Sequence, residues 1–395
     1  MRVLLFTGKG GAGKTTTAAA TAVYAARRGT KTLVVSTDAA HSLGDALGAG
    51  LGSEPTEVEA GLFAQQVDAR SRAERSWRGI QEYLLTLLET IGVEAVAAEE
   101  LTVLPGAEEV LALLEVRDQV RTGPWDLVVV DCAPTAETLR LLALPEALSW
   151  YLATALPREK RLARALRPVL DRATGLPLPR DSVFDAVDRL HGELADVRSV
   201  LTDAATSVRL VLTPESVAIA EARRTLTSLA LYGYAVDGVV ANRVVPDGDD
   251  PWRAGWARAQ GERLGEVRDS FSPVPVLTAP YLPREPVGLD ALAGFADALY
   301  GDVDDDPLAA ADVPAPLVVE RSGNEFVLEL RLPLAERRDV DLARRGDELV
   351  VTVGGWRRHL SLPSALRRCV VVGASMREGR LRVRFEPDPA LWRPL

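Results

Sequence analysis

The sequence predicts an α/β protein with an open, mostly parallel sheet and a helical subdomain, followed by a small all-β domain. Three observations carry this reading. Strand-length apolar runs alternate with long helical stretches through the first three-quarters of the chain. The first of those runs leads through a glycine-rich loop straight into a helix. After an acidic and proline-rich segment, the hydrophobic period drops to two.

The elements follow in order. Residues 2–7 (RVLLFT) read as a short buried strand. The glycine loop comes next, then an alanine-rich helix through about Arg28 that Gly29 ends, then a strand over 31–38 (KTLVVSTD). Both strands are apolar almost throughout, the pattern of a parallel sheet covered on two faces. Strands of the same kind are predicted at 126–131, 207–213, 235–243 and 273–280. Six strands with helical crossovers make an open α/β sheet. Residues 54–121 and about 137–206 are rich in Leu, Ala, Glu and Arg and read as helical insertions, so the first domain spans 1–300. Residues 301–316 (GDVDDDPLAAADVPAP) read as a linker. Over 317–388, Phe326, Leu328, Leu330 and Leu332 alternate with Val327, Glu329 and Arg331, as Leu381, Val383 and Phe385 alternate with Arg380, Arg382 and Arg384. That is a β-sandwich with one wet face. Residues 389–395 form a short tail, and no internal repeat is found.

Composition narrows the function. A net charge of −10 argues against a general nucleic-acid binder. Two cysteines, Cys132 and Cys369, are too few for a disulfide framework or a cysteine-based metal site, so no zinc is expected. The N-terminus is too short and glycine-rich for a signal peptide, and no apolar run approaches ~20 residues. A cytoplasmic protein is expected.

The chemistry concentrates in the glycine loop. Gly8-Lys9-Gly10-Gly11-Ala12-Gly13-Lys14-Thr15 satisfies G-x-x-x-x-G-K-[ST] directly between a strand and a helix, the context a P-loop NTPase requires. Its backbone N–H groups would curl around phosphate oxygens, with the helix dipole behind them. Lys14 would reach the β- and γ-phosphates, the Thr15 hydroxyl would ligate Mg²⁺, and Thr16 would touch the α-phosphate of ATP. Lysine is rare here: the chain holds only Lys9, Lys14, Lys31 and Lys160. Two in one loop imply a need for a compact ammonium that a guanidinium fork would not meet. Asp131, ending the run LVVVD, would hold a water of the Mg²⁺ shell. Asp38, ending the preceding strand, would orient or activate the attacking water, and its alternative is to bind the Mg²⁺ shell only. His41 beside it could serve as a base.

The segments KGGAGKTTTAAATAVYAARRG, STDAAHSLGDALG and DCAPTAETLRLLALPEAL together resemble the arsenite-pump and tail-anchored-protein-targeting ATPases, the ArsA family. The resemblance covers about residues 1–300. It implies a homodimer in which Lys9 crosses to the phosphates of the facing subunit, as in other deviant Walker A ATPases. The family's first switch is matched by Asp38, Ala40, His41 and Ser42, which makes His41 and Ser42 switch residues. The second is matched by Asp131, Ala133, Pro134, Thr135, Thr138, Leu139 and Arg140. Ala39, Ala136 and Glu137 depart from the family's pattern. ANRV (241–244) and PYLPREPVGLDAL (280–292) resemble the family's adenine-side elements, which implies that Asn242 reads the adenine amino edge and that Arg243, Pro280 and Leu282 lie beside it. Residues 317–388 resemble the α-crystallin domain of small heat-shock proteins through Ala374, Met376, Gly379, Leu381 and Val383, without that family's I-x-I tail.

The family resemblance implies that the hydrolysis cycle opens and closes the dimer around a hydrophobic or membrane-protein client. A chaperone with ATP as a slow switch is the alternative. Arsenite export would need clustered thiolates, and a partition-type ATPase would favour a basic surface or an amphipathic C-terminal helix; both fit the sequence less well.

Overall fold

The computed structural model describes residues 1–38, 42–67, 107–132, 181–301, 306–310, 316–323 and 325–392. In chain order these form β1 (Arg2–Gly8), α1 (Lys14–Arg27), β2 (Thr32–Ser36), α2 (Ser42–Leu47), β3 (Thr56–Glu59), β4 (Leu62–Gln66), α3 (Ala107–Thr122) and β5 (Leu127–Asp131). Then come α4 (Asp181–Leu201), β6 (Thr206–Leu212), α5 (Ser216–Tyr232), β7 (Val236–Val244), α6 (Pro251–Phe271), β8 (Val276–Pro280) and α7 (Leu289–Tyr300).

The eight strands join in the order β3-β4-β2-β5-β1-β6-β7-β8. All pairs are parallel except the β3–β4 hairpin at one edge. The uniform apolarity of the strands follows from burial on both faces. Leu4, Phe6, Val34 and Val129 pack against α1, α2 and α7, while Val3, Leu5, Val35 and Val130 pack against α3, α4, α5 and α6.

The expectation of helix throughout 54–121 is corrected at its start. Residues 56–66 form the β3–β4 hairpin, turned by Gly61 at φ +77°. Leu62 and Ala64 point into the core under β4. The alternation in LFAQQ is too short to stand out beside the helix-rich composition that follows it. The predicted insertions over 68–106 and 137–180 lie outside the described residues. No helix among the described residues is long and apolar enough to cross a membrane.

Beyond the linker lie β9 (Leu317–Ser322), β10 (Glu325–Arg331), β11 (Val340–Arg345), β12 (Glu348–Val353), β13 (Trp356–Ser361), the short helix α8 (Ser364–Arg367), β14 (Cys369–Arg377) and β15 (Arg380–Pro387). They form two antiparallel sheets, β14-β15-β10-β9 and β11-β12-β13. Leu328, Leu330, Leu381, Val383 and Phe385 fill the core between them, with Arg380, Arg382 and Arg384 outside. Trp392 of the tail stacks on its own domain, 5.6 Å from Phe326 and under the Arg368 guanidinium.

Polar contacts join the sandwich to helix α5 of the ATPase domain. At the end of α5, Leu231 sits within the sandwich core, and its carbonyl accepts from Arg358 Nη1. Thr227 Oγ1 donates to the Pro333 carbonyl at 2.6 Å. At the N-terminal ends of the strands, Asp237 is buried between two arginines, with Arg2 Nη2 at 2.8 Å and Arg209 Nη2 at 3.3 Å. The surplus guanidinium donors meet main-chain carbonyls: Arg2 donates to Ala205 and Leu308, and Arg209 to Pro307. The segment 306–310 is thereby strapped to the base of the sheet.

Candidate active site

The glycine loop lies at the C-terminal end of the sheet, where open α/β folds place their ligands. Two glycines there are required by contact. A Cβ on Gly8 would stand 2.0 Å from the Val211 carbonyl oxygen, so the loop can run against β6 only without a side chain. Gly13 has φ +92°, and a Cβ there would meet Asn242 Nδ2 at 2.2 Å. α1 opens directly on Lys14, and no side chain caps it. Its first N–H groups are therefore left to a ligand, as a phosphate site needs.

Around this loop the structure gathers most of the sequence-predicted residues. Lys14 is buried, whereas Lys9, Gly10 and Gly11 are exposed and Ala12 is buried beneath them. Thr15 Oγ1 stands 3.2 Å from Ser42 Oγ, the first residue of α2. Asp131 is fully buried at the end of β5. Ser36 Oγ donates to its Oδ2 at 3.2 Å, and its Oδ1 has no hydrogen-bond partner among the described residues. Burial pushes the Asp131 carboxyl up to about 6; the Thr15 hydroxyl and the Lys14 ammonium oppose that rise, and Asp38 adds to it. Asp38 is half-buried just past β2. His41, Pro134 and Thr135 lie outside the described residues.

A cleft of about 340 Å³ adjoins the loop, bounded by Gly13, Thr16, Asn242, Arg243, Pro280 and Leu282. Asn242 does more than line it. Its Nδ2 donates to the Ala12 carbonyl at 2.8 Å, and its Oδ1 accepts from the Arg243 N–H at 2.8 Å. The amide thus braces the glycine loop, a role the sequence reading did not assign to it. Arg243 takes a left-handed backbone, φ +59°, at the same turn.

Sequence reasoning passed over Tyr281 and Arg284 at the cleft mouth, and Ser36 and Gln66 beneath Asp38. Both end their strands, and what they face shows only in the register of β4, β2 and β5.

Comparison with known proteins agrees with this geometry. Residues 1–301 match the family described as "Anion-transporting ATPase" (ArsA_ATPase), and residues 323–385 match the "HSP20-like domain found in ArsA". A protein of Streptomyces coelicolor is 43% identical over 396 residues, covering 99% of both chains. A Prosthecochloris vibrioformis protein named "Putative arsenical pump-driving ATPase" is 38% identical over 391 residues, covering 98% of this chain and 96% of its own. The "ATPase get3" of Aspergillus terreus is 27% identical over 307 residues, covering 76% of this chain and 90% of its own. With its glycine loop, the buried Lys14 and Asp131, and a match over three-quarters of its length, the chain belongs to the ArsA family of ATP-hydrolysing enzymes and carries that family's HSP20-like domain.

Proposed function

We propose that this ATPase is Mg²⁺-dependent and works as a homodimer whose nucleotide cycle opens and closes the pair around a hydrophobic or membrane-protein client. The observation that carries the catalytic part is the buried Asp131 carboxylate, one oxygen of which has no hydrogen-bond partner among the described residues, set beside the Thr15 hydroxyl and the Lys14 ammonium, with Ser42 next to Thr15. An all-oxygen donor set of this kind suits a hard divalent cation. Thr15 would hold Mg²⁺ directly, with Asp131 and Asp38 holding it through water. The ion would supply charge neutralisation at the β- and γ-phosphates.

This chain's own groups do the rest. The N-terminal amides of α1 and Lys14 bind the phosphates. Asp38 orients a water in line with the γ-phosphorus and takes up its proton as the new P–O bond forms. The bond to the β-γ bridging oxygen breaks, and ADP leaves with the electron pair. Lys9 is exposed at the loop surface, and in this reading it serves a facing copy of the chain rather than its own triphosphate. Its ammonium would offset charge developing on that partner's leaving oxygen.

The arsenical name of one relative raises a second reading. The two thiols do not favour it. Cys132 and Cys369 are both buried, one beside the nucleotide site and one in the β-sandwich, and burial pushes both thiols up, away from the thiolate that arsenite needs. Client capture with nucleotide as a slow switch is tested by whether binding depends on ATP.

The deciding experiment compares wild type, Asp38→Asn and Lys9→Arg. Asp38→Asn should bind ATP with near-normal affinity, nearly abolish turnover and accumulate as a dimer in sedimentation with Mg-ATP. Lys9→Arg should lower turnover more than affinity. A monomeric Asp38→Asn protein saturated with Mg-ATP, or a silent Lys9→Arg, would overturn the dimer reading. Crosslinking from cells with the Asp38→Asn trap, with and without residues 317–395, would identify the client and the part the sandwich plays.

A further inference from the structure

At the C-terminal edge of the sheet, Gln66 of β4, Ser36 of β2 and Asp131 of β5 stand in one register across three neighbouring strands. Side chains in such a row face each other on one side of the sheet. Ser36 is fully buried and Gln66 nearly so, and both hold the same peptide segment. The Asp38 N–H donates to Ser36 Oγ at 3.3 Å, and Gln66 Nε2 donates to the Asp38 carbonyl at 2.8 Å. Asp38 is thus gripped by its main chain from both sides, which fixes the point from which its carboxylate projects.

The Ser36 hydroxyl has one proton, and it goes to Asp131 Oδ2 at 3.2 Å. Its lone pair faces Asp38. The same hydroxyl therefore ties the buried carboxylate of the cation side to the backbone of the carboxylate of the water side. Gln66 is the second member. Its Oε1 is buried and has no partner among the described residues, whereas its Nε2 is committed to the Asp38 carbonyl.

We infer that Ser36 and Gln66 are positioning residues for hydrolysis, forming a two-sided clamp that aims the Asp38 carboxylate and couples its backbone to Asp131. The inference rests on the role proposed above for Asp38. Misplacing a reacting group by about an ångström can lower a rate 100-fold, so loosening either side should lower kcat about 10- to 100-fold and leave ATP affinity within about 2-fold.

The test uses the full-length chain with Ser36→Ala, Gln66→Met and Asp38→Asn. Single-turnover hydrolysis, equilibrium binding of a fluorescent ATP analogue and thermal melts are measured for each. Gln66→Met keeps the side-chain length and removes the donor, and Ser36→Ala only deletes an oxygen. The readout that a merely structural role would not move is the double-mutant cycle. Adding Gln66→Met to Asp38→Asn should lower the residual rate less than 2-fold, because the group being aimed is already gone. The clamp is overturned if either single variant keeps wild-type kcat while Asp38→Asn is inactive. It is also overturned if kcat, affinity and melting temperature fall together, or if the double variant loses the full product of the two effects. If Asp38→Asn itself turns over normally, the reading of Asp38 fails and the clamp fails with it. Should Ser36→Ala not fold, Gln66→Met and its cycle decide the matter alone.

Discussion

Arg358 Nη1 lies 2.5 Å from the carbonyl oxygen of Leu231, and both residues are buried. A cation from the β-sandwich therefore caps the C-terminal end of a helix in the ATPase sheet, where the helix dipole favours positive charge. Tyr232 and Trp356 pack edge to face beside it, with ring centroids 6.2 Å apart. The sandwich is docked through this seam as well as tethered.

Arg358→Ala should weaken that seam. It removes the guanidinium from the Leu231 carbonyl, leaving a buried acceptor without this donor, at about 1–3 kcal/mol. In chemical denaturation the wild type should unfold in one transition and the variant in two, the sandwich unfolding first. Hydrogen exchange at the end of α5 should accelerate.

Asp131→Asn should separate stability from activity. The folded carboxyl sits near 6, above its ordinary value of 3.8. A raised carboxyl makes the fold more stable in acid. The contribution is fully present below the unfolded value and is lost as pH rises through about 6, leaving a penalty of about 3 kcal/mol. Without nucleotide or Mg²⁺, the asparagine variant should gain on the wild type as pH rises from 4 to 7 in urea titrations. Its ATPase rate should be almost nil at every pH.

Asn242→Asp should damage the site more than Asn242→Ala. The alanine variant loses the bond to the Ala12 carbonyl. The aspartate puts an acceptor where that carbonyl needs a donor. ATP affinity should fall about 10-fold for alanine, equivalent to about 1.4 kcal/mol, and further for aspartate. Fluorescent-nucleotide titration reads both.

Asp237→Ala should be among the most destabilising single changes. It leaves Arg2 and Arg209 buried without their carboxylate, a loss of about 3–5 kcal/mol. A chain ending at 301 should likewise melt below one ending at 310, since only the longer one supplies the Pro307 and Leu308 carbonyls. Equal melting temperatures would mean that the strap does not hold in solution.

The glycine loop was legible in the sequence because its spacing and context are fixed by phosphate geometry. The strands of the parallel sheet were legible because burial on both faces leaves a continuous apolar run. The sandwich showed itself through period two. The β3–β4 hairpin did not, because two short strands at a sheet edge leave little pattern. Arg2, Arg209 and Asp237 were also invisible: a charge inside a strand reads as a wet face until topology brings three of them together. Ser36 and Gln66 were missed because their meaning depends on register, which only strand order supplies.

The strap at the base of the sheet also bears on how the chain is made. Arg2 belongs to the first strand to leave the ribosome, yet one of its acceptors is Leu308, 306 positions later. Arg209, Tyr300 and Thr21 share the same buried network. A nascent chain can finish that base only after the tether has emerged. Until then Asp237 can pair both guanidinium groups but the Pro307 and Leu308 carbonyls are missing, so the ATPase sheet is closed at its base by chain made after its last strand.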